Sequence, residues 1–108
     1  MIISKEATHE FNKNYEKLGK HHPKVKIGVD EANKLIDEDK ITLNSNPIEK
    51  RKWPKEYQRI YKINNLWRYE LPEYYRLIYT VVTKYPRKIY RLFNVLSHPE
   101  YNKLFGYD

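Results

Sequence analysis

Arg68, Arg76, His98 and Tyr101 are residues whose types suit phosphoryl chemistry. An arginine stabilises the negative charge that develops on a phosphate, and a histidine or a tyrosine transfers protons or stacks on a base. Arg76 also interrupts a run of apolar and aromatic residues, where a cation must pair, reach solvent or hold an anion. The four residues therefore predict a phosphate-handling site if the fold brings them together.

Other kinds of chemistry find little support in the sequence. The chain has no cysteine, which excludes thiolate chemistry and disulfides. It has no glycine-rich phosphate loop, no serine nucleophile motif and no carboxylate cluster that suggests a metal. We interpret His9, His21 and His22 as surface histidines, because no cysteine and no His-x-x-x-His pair accompanies them. We therefore expect neither a metal nor a cofactor.

A β-hairpin is predicted to position the two arginines. Residues 66–71 and 74–83 are rich in aromatic and β-branched side chains, which favours two strands with a Pro-Glu turn at 72–73. Both faces of the second strand are largely apolar, which indicates a central strand covered on both sides. Residues 89–96 continue this pattern and predict a third, antiparallel strand.

Two amphipathic helices are predicted before the hairpin. Ser4 suits the N-cap of the first helix, Gly19 suits its C-terminal cap, and Pro23 suits the first turn of the second. Apolar residues recur every three or four positions and give each helix one apolar stripe. The members are Ala7, Phe11, Tyr15 and Leu18, followed by Val29, Ala32, Leu35 and Ile36. We expect an antiparallel helix pair that lies on the sheet.

A short C-terminal helix is predicted to carry the remaining candidate residues. Ser97 is a natural N-cap, and Gly106 closes a helix over residues 100–105. His98 then lies where the last strand meets the helix, and Tyr101 lies one turn later on the same side.

Charge is concentrated in the second half of the chain. Residues 1–49 carry 8 Lys/Arg and 9 Asp/Glu, a net charge of −1, whereas residues 50–108 carry 13 and 5, a net charge of +8. A basic half beside a near-neutral half indicates a surface that meets a polyanion or an acidic protein. The alternative is that the surplus cations only keep the protein soluble.

A basic cluster that includes one tryptophan lies shortly before the hairpin. Cations with an interleaved aromatic ring suit a phosphate backbone and an unstacked base. The cluster therefore predicts RNA binding by Lys50, Arg51, Lys52, Trp53 and Lys55. The sequence leaves a second interpretation open, in which the loop is merely solvated and the tryptophan ring folds back into the core.

Length and composition favour a single domain over residues 1–108. A chain of 108 residues can bury a core without disulfides or metals. No segment approaches the roughly 20 apolar residues of a membrane span, and the first residues are too polar for a signal peptide. We therefore expect a cytoplasmic protein without membrane contact.

Two segments resemble the RelE/ParE toxin superfamily. Residues 66–79 resemble its hairpin, in which a leucine-aromatic-arginine strand leads through a tight turn to a Tyr-Arg-aliphatic-aliphatic-Tyr strand. They read Leu-Trp-Arg-Tyr-Glu-Leu-Pro-Glu-Tyr-Tyr-Arg-Leu-Ile-Tyr. Residues 96–107 resemble the ending of an archaeal and bacterial RelE-like subgroup. The resemblance is specific over residues 64–107 and weak before residue 45.

This resemblance implies an α+β, RelE-like fold: two N-terminal helices on a twisted antiparallel sheet of three or four strands, with a short C-terminal helix. It also implies the toxin of a type II toxin–antitoxin system, a ribosome-dependent mRNA endonuclease that uses no metal. In such toxins the 2′-hydroxyl of the RNA attacks the neighbouring phosphate. The implied partners are a cognate acidic antitoxin and mRNA on the ribosome. The alternatives are a ParE-type inhibitor of DNA gyrase and a non-catalytic module that binds RNA or an antitoxin.

The resemblance further implies roles for single residues. Arg76 matches the phosphate-stabilising arginine of the Tyr-Arg motif. His98 falls near a C-terminal catalytic Arg or His, and Tyr101 falls near an aromatic residue that stacks on or protonates the substrate. Arg68 and the basic cluster are expected to hold the RNA backbone.

RelE has catalytic lysines in the first strand of the hairpin, and Trp67, Tyr69 and Glu70 stand in that neighbourhood here. Glu70 is expected to act either as a general base, as a glutamate does in some relatives, or, as we favour, as an ion-pair partner of Arg68 or a lysine.

If the basic half binds RNA, the affinity should fall steeply as salt increases. Each phosphate contact releases a counterion, so the logarithm of the binding constant falls with a slope of about −0.7 per contact on a single strand. Fluorescence anisotropy with single-stranded RNA at several KCl concentrations measures this slope. A flat response contradicts the basic half as the binding surface.

Overall fold

The structure, a computed structural model, describes residues 1–106 and shows helices packed on both faces of one sheet. The elements are β1 (Ile2–Ala7), α1 (His9–His21), α2 (Pro23–Asp37), β2 (Asn46–Pro47), α3 (Lys55–Tyr61), β3 (Trp67–Glu70), β4 (Arg76–Lys84), β5 (Arg87–Leu96) and α4 (His98–Phe105). Short 3-10 turns lie at Ile41–Asn44, Lys50–Lys52 and Pro72–Tyr74. Tyr107, which ends the motif at 96–107, lies outside the described residues. Within residues 1–106 no helix has the length and apolar character needed to cross a bilayer.

β4 is the central strand of the sheet, whose order is β1-β5-β4-β3-β2. It pairs antiparallel with β3 over residues 76–79 and with β5 along its whole length. β1 pairs with β5 in parallel, and β2 is a two-residue antiparallel edge. The predicted hairpin and third strand are confirmed, and so is the prediction that the second hairpin strand is central in the sheet. The predicted count of three or four antiparallel strands is wrong, because β1 adds a fifth, parallel strand.

The first residues form β1 and not the first turn of the predicted helix. Ser4, predicted as the helix N-cap, lies inside this strand and pairs with Ile89 of β5. Ala7, predicted as the first member of the apolar stripe, is the last residue of the strand. Since the partner of Ser4 lies 85 residues further along the chain, no local pattern reveals the pairing.

Helix α1 begins later and ends later than predicted. Thr8 is its N-cap, and the Thr8 hydroxyl accepts a hydrogen bond from the Phe11 backbone N–H at 3.1 Å. The helix continues through Gly19 to His21, because Gly19 keeps a right-handed backbone and does not form the predicted cap. α2 begins at Pro23, as predicted.

The larger hydrophobic core lies between the sheet and the pair α1 and α2, which confirms the predicted helix pair on the sheet. Alternate residues of β4 and β5 point toward the helices. The buried members of this core are Phe11, Leu18, Val25, Val29, Ala32, Ile36, Ile41, Leu71, Leu77, Tyr79, Tyr90, Leu92 and Val95. Burying one Leu, Ile, Val or Phe side chain contributes about 1.5–3 kcal/mol, so the burial of these side chains strongly favours folding.

Two tyrosines of this core keep their hydroxyls hydrogen-bonded. Tyr79 donates to Ser45 Oγ at 2.7 Å, and Tyr90 donates to the Asp39 carboxylate. Burial raises the pKa of both hydroxyls, so both remain protonated donors at neutral pH. The two bonds tie the loop after α2 to the centre of the sheet.

A smaller core lies on the opposite face of the sheet, beneath α3 and α4. Its buried members are Ile48, Trp53, Tyr57, Leu66, Ile78, Phe93, Leu96, Tyr101 and Phe105. Trp53 is only 8% exposed, and its Nε1–H donates to the Ile48 carbonyl at 2.8 Å. The structure therefore shows the core-anchor alternative for Trp53, and the prediction that this ring is exposed to RNA is wrong.

Helix α4 has the ends that the sequence predicts. The Ser97 hydroxyl accepts a hydrogen bond from the Glu100 N–H, and the Glu100 carboxylate accepts one from the Ser97 N–H at 2.9 Å. Gly106 closes the helix in the left-handed conformation, with a φ of 76°. The cap at Ser97 fixes the point at which the chain passes from β5 into α4, and His98 is the first residue of that helix.

Gly28 lets α2 approach the turn between β3 and β4, and its replacement tests that contact. A Cβ atom at position 28 would lie 2.5 Å from Pro72 Cδ and 3.2 Å from Leu71 Cδ2. Gly28→Ala should therefore lower the free energy of unfolding by about 1–3 kcal/mol, even though alanine is the better helix former. Urea unfolding followed by circular dichroism measures the change.

Gly19→Ala is the matched control for this substitution. Gly19 is also helical, but a Cβ atom there would meet only the flexible Lys26 side chain, at 3.3 Å. Alanine should stabilise α1 by up to about 1 kcal/mol. Equal effects at the two glycines would contradict a tight approach at Gly28.

Candidate active site

Five residues singled out in the sequence meet at one end of the sheet. Arg68 and Glu70 lie on β3 and Arg76 on β4, all on the face that carries the smaller core. Glu70 pairs in register with Arg76, so their side chains are cross-strand neighbours. Arg76 also pairs with Leu96, the last residue of β5, and α4 follows after one residue. The sheet register thus brings His98 and Tyr101 to the two arginines.

The Arg76 guanidinium is the centre of this group. Its Nε lies 3.3 Å from the Glu70 carboxylate, and its Nη1 lies 3.1 Å from His98 Nδ1. Its Cζ lies 4.5 Å from the centre of the Tyr101 ring, within cation–π distance. The Arg76 side chain is only 14% exposed. A guanidinium held on three sides keeps a fixed direction, as an electrostatic site for a phosphate requires.

Tyr101 lies beneath the two arginines. Its ring is 1% exposed and stacks on Phe105 with 4.5 Å between ring centres. Its hydroxyl accepts a hydrogen bond from Arg68 Nη1 at 3.2 Å. A ring with no accessible face cannot stack on a base, so that expectation for Tyr101 is wrong. The structure makes Tyr101 a residue that positions Arg68 and Arg76.

The His98 side chain is exposed to solvent and lies between Arg76 and Asn102. Because an arginine N–H can only donate, His98 Nδ1 must accept the bond from Arg76, which leaves the ring proton on Nε2. The Asn102 side-chain nitrogen lies 3.2 Å from Nε2. A half-turn of this amide, whose nitrogen and oxygen ends have the same shape, puts the oxygen there to accept the Nε2 proton. The two neighbours therefore select one tautomer. Asn102 was not predicted from the sequence, although its position four residues after His98 is the helical spacing that brings side chains together.

Glu70 serves both arginines as a counter-ion. It lies 3.3 Å from Arg68 Nε and 3.3 Å from Arg76 Nε. This geometry agrees with the ion pair favoured in the sequence analysis. Two guanidiniums and one carboxylate leave a net charge of +1, so the end of the sheet keeps an attraction for an anion.

An open groove of about 400 Å³ runs from Arg68 along the loop that follows β2. Arg51 and Lys52 line it together with Arg68, and Arg51 is also paired with Glu49 at 2.6 Å. Lys50 and Lys55, predicted as RNA contacts, are exposed outside the lining of this groove. Of the basic cluster, the structure therefore brings two members to the candidate site.

The described part of the chain offers no ready metal site. Within residues 1–106, no three or more His, Asp or Glu side chains are grouped so that they could hold an ion. The donors at the site itself are two guanidiniums, one imidazole and one carboxylate, a set suited to anions.

The helices on a five-stranded sheet give this chain the same fold as two solved toxin structures. The YoeB dimer from Staphylococcus aureus has a TM-score of 0.64 and 12% identity, over 91% of this chain and 99% of that one. A YoeB/ParE toxin from Agrobacterium tumefaciens has a TM-score of 0.60 and 15% identity, over 88% and 98%. No family model and no curated protein matches the sequence. The RelE-like fold predicted from the hairpin motif is thus confirmed.

Removing the Tyr101 hydroxyl tests its role as a support for Arg68. Tyr101→Phe keeps the ring beneath both guanidiniums but leaves Arg68 without its bond to the hydroxyl. The free energy of unfolding should fall by about 1–3 kcal/mol, the range for a buried hydrogen bond to a charged group. Urea unfolding measures this change in the free energy of unfolding.

Tyr85→Phe serves as the control, because the Tyr85 side chain is 86% exposed and its hydroxyl is in water. Its effect should stay within about 0.5 kcal/mol. If both substitutions change stability equally little, Tyr101 does not support Arg68.

Proposed function

We propose that this protein is the toxin of a type II toxin–antitoxin system and cleaves mRNA on the ribosome. The observation that carries the proposal is the contact between Arg76 and His98 at the end of a basic groove. A fixed arginine and a histidine with a free face are the two groups that metal-independent RNA cleavage needs. The shared fold with YoeB and YoeB/ParE toxins supports the same proposal.

In the proposed reaction the 2′-hydroxyl of the RNA attacks the adjacent phosphorus. The new bond joins the 2′-oxygen to phosphorus, the bond to the 5′-oxygen breaks, and the products are a 2′,3′-cyclic phosphate and a 5′-hydroxyl. Arg76 stabilises the negative charge that develops on the phosphoryl oxygens. Arg68 and Lys52 hold neighbouring phosphates along the groove.

His98 is the proposed proton carrier. In the tautomer selected by its neighbours, Nδ1 has a lone pair that the Arg76 N–H occupies at 3.1 Å. A substrate phosphate competes for the same N–H, and once it binds the guanidinium, Nδ1 is free to take the proton of the 2′-hydroxyl. The resulting imidazolium returns a proton to the departing 5′-oxygen. Phosphate binding and activation of the base are thereby linked.

We also propose an acidic antitoxin as the partner that blocks this site. An antitoxin carboxylate can take the position of a substrate phosphate opposite Arg68 and Arg76, because both anions form paired hydrogen bonds with a guanidinium. The net charge of +8 over residues 50–108 supports an acidic partner. A segment bound in the groove would exclude RNA directly.

Induced expression with primer-extension mapping of transcripts tests the reaction. Wild type should cut mRNA, whereas Arg76→Ala should lose about 10²–10³-fold of the cleavage rate and His98→Ala about 10²–10⁴-fold. His9→Ala and Arg59→Ala are matched controls, because both residues are exposed and lie on α1 and α3, which contribute no residue to the candidate site. Both variants should cut like wild type. Circular dichroism confirms that each variant is folded.

The same experiment separates the alternatives. Uncut transcripts with arrested growth and broken DNA indicate an inhibitor of gyrase. Uncut transcripts with normal growth indicate a binding module without catalysis. Full cleavage by a folded Arg76→Ala variant contradicts the catalytic assignment.

A further inference from the structure

Neither of the two aromatic rings that the sequence suggested as contacts for an RNA base is exposed. Tyr101 is 1% and Trp53 is 8% exposed. Among the large apolar and aromatic residues of the part that the structure describes, two aromatic side chains stand far out in solvent: Tyr74 at 79% and Tyr85 at 86%. Recognition of unpaired RNA depends on aromatic faces that bases can reach. Tyr74 and Tyr85 are therefore the candidates for a base-stacking residue.

Only Tyr74 lies at the end of the sheet that holds the site. It precedes Arg76 by two residues, so their Cα atoms are at most about 7 Å apart. Tyr85 follows β4 at its other end, where nine residues separate it from Arg76. At about 3.3 Å per strand residue this places Tyr85 about 30 Å from the site.

The backbone of Tyr74 is in a conformation that a tyrosine rarely adopts. Its φ is 62°, and the preceding Glu73 has a φ of 60°. A side chain with a Cβ is strained in this left-handed region, and glycine or asparagine is the usual occupant. Such strain is found mainly where function requires a particular side chain.

The surrounding structure holds the turn, but it does not hold the ring. The Leu71 N–H donates to the Tyr75 carbonyl at 2.8 Å, and Glu73 lies 3.3 Å from His22 on the helix side. Among the described residues, Tyr74 itself has no side-chain hydrogen bond and no ring contact. Local stability alone would therefore favour glycine at position 74, and packing does not explain a tyrosine.

We propose that Tyr74 is a substrate-binding residue on which an unpaired nucleobase stacks, beside the phosphate bound by Arg76. The ligand is single-stranded RNA. The inference therefore rests on the proposed function and names a residue that binds the RNA substrate. Stacking tolerates every base, because each base has a π-face. Tyr74 would thus fix the position of the strand without selecting its sequence.

The test compares Tyr74→Gly and Tyr74→Trp with the control Tyr85→Ala. Affinity is measured by fluorescence anisotropy with a short 2′-O-methyl RNA, which cannot be cleaved because its 2′-oxygens are blocked. Tyr74→Gly should weaken binding about five- to a hundredfold, the range for losing one stacked base. Tyr74→Trp should keep the affinity, and Tyr85→Ala should bind like wild type.

Thermal unfolding distinguishes a binding role from a structural one. Because glycine relieves the strain, Tyr74→Gly should be at least as stable as wild type while it binds RNA more weakly. Equal RNA affinity of Tyr74→Gly and wild type overturns the inference, and so does a loss of stability that accompanies the loss of affinity.

The inference and the proposed function can fail separately. If wild type binds the blocked RNA through Tyr74 but cuts no mRNA, the proposed function fails and the inference stands. If wild type cuts mRNA and Tyr74→Gly cuts and binds equally well, the inference fails and the proposed function stands. Absence of any binding to the RNA by wild type overturns the inference.

Discussion

The contact between the Arg76 guanidinium and the buried Tyr101 ring connects the sheet to the last helix, and the candidate site depends on it. Arg76 belongs to the central strand, and Tyr101 belongs to α4 and to the smaller core. The attraction between a cation and a desolvated ring is worth about 2 kcal/mol or more, against about 0.5–1 kcal/mol at an exposed site. The same ring that completes the core therefore directs the cation toward solvent, so packing and electrostatics cannot be altered independently here.

Glu70 completes this arrangement by occupying the place of an anion. Without a counter-ion, two guanidiniums at one end of the sheet would repel each other in a partly desolvated position. Glu70 lies 3.3 Å from the Nε atom of each arginine, so its negative charge offsets this repulsion and holds both cations in place. The carboxylate is about half exposed, at 48%, so it can yield its contacts to a phosphate without leaving a charge buried. We regard this as the reason that a carboxylate is tolerated at an end of the sheet where cations predominate.

The features that were predictable from the sequence are those with a local cause. The hairpin follows from alternating β-branched and aromatic residues, and the caps of α4 follow from Ser97 and Gly106. The failures have a long-range cause. β1 looks like the start of a helix because its parallel partner lies at the other end of the chain, and the burial of Trp53 and Tyr101 depends on how α3 and α4 pack against the sheet. Arg76 and His98 were chosen as candidate site residues because they lie at the ends of elements. The contact between Asn102 and His98 was not predictable, because it depends on the direction in which the His98 side chain points.

The parallel pairing of β1 with β5 has a consequence for how the chain matures during translation. Ile2 cannot pair with Arg87 until 85 further residues, the last of them Arg87 itself, have been made. At about 5–20 residues per second, this delay is roughly 4–17 seconds. β5 leads within two residues into His98, so the residues that close the sheet and those that complete the candidate site are made one directly after the other. A nascent or truncated chain that lacks this segment would lack both the parallel strand pair and the last helix, which carries His98 and Tyr101. The candidate site is therefore assembled only when almost the whole chain has been made.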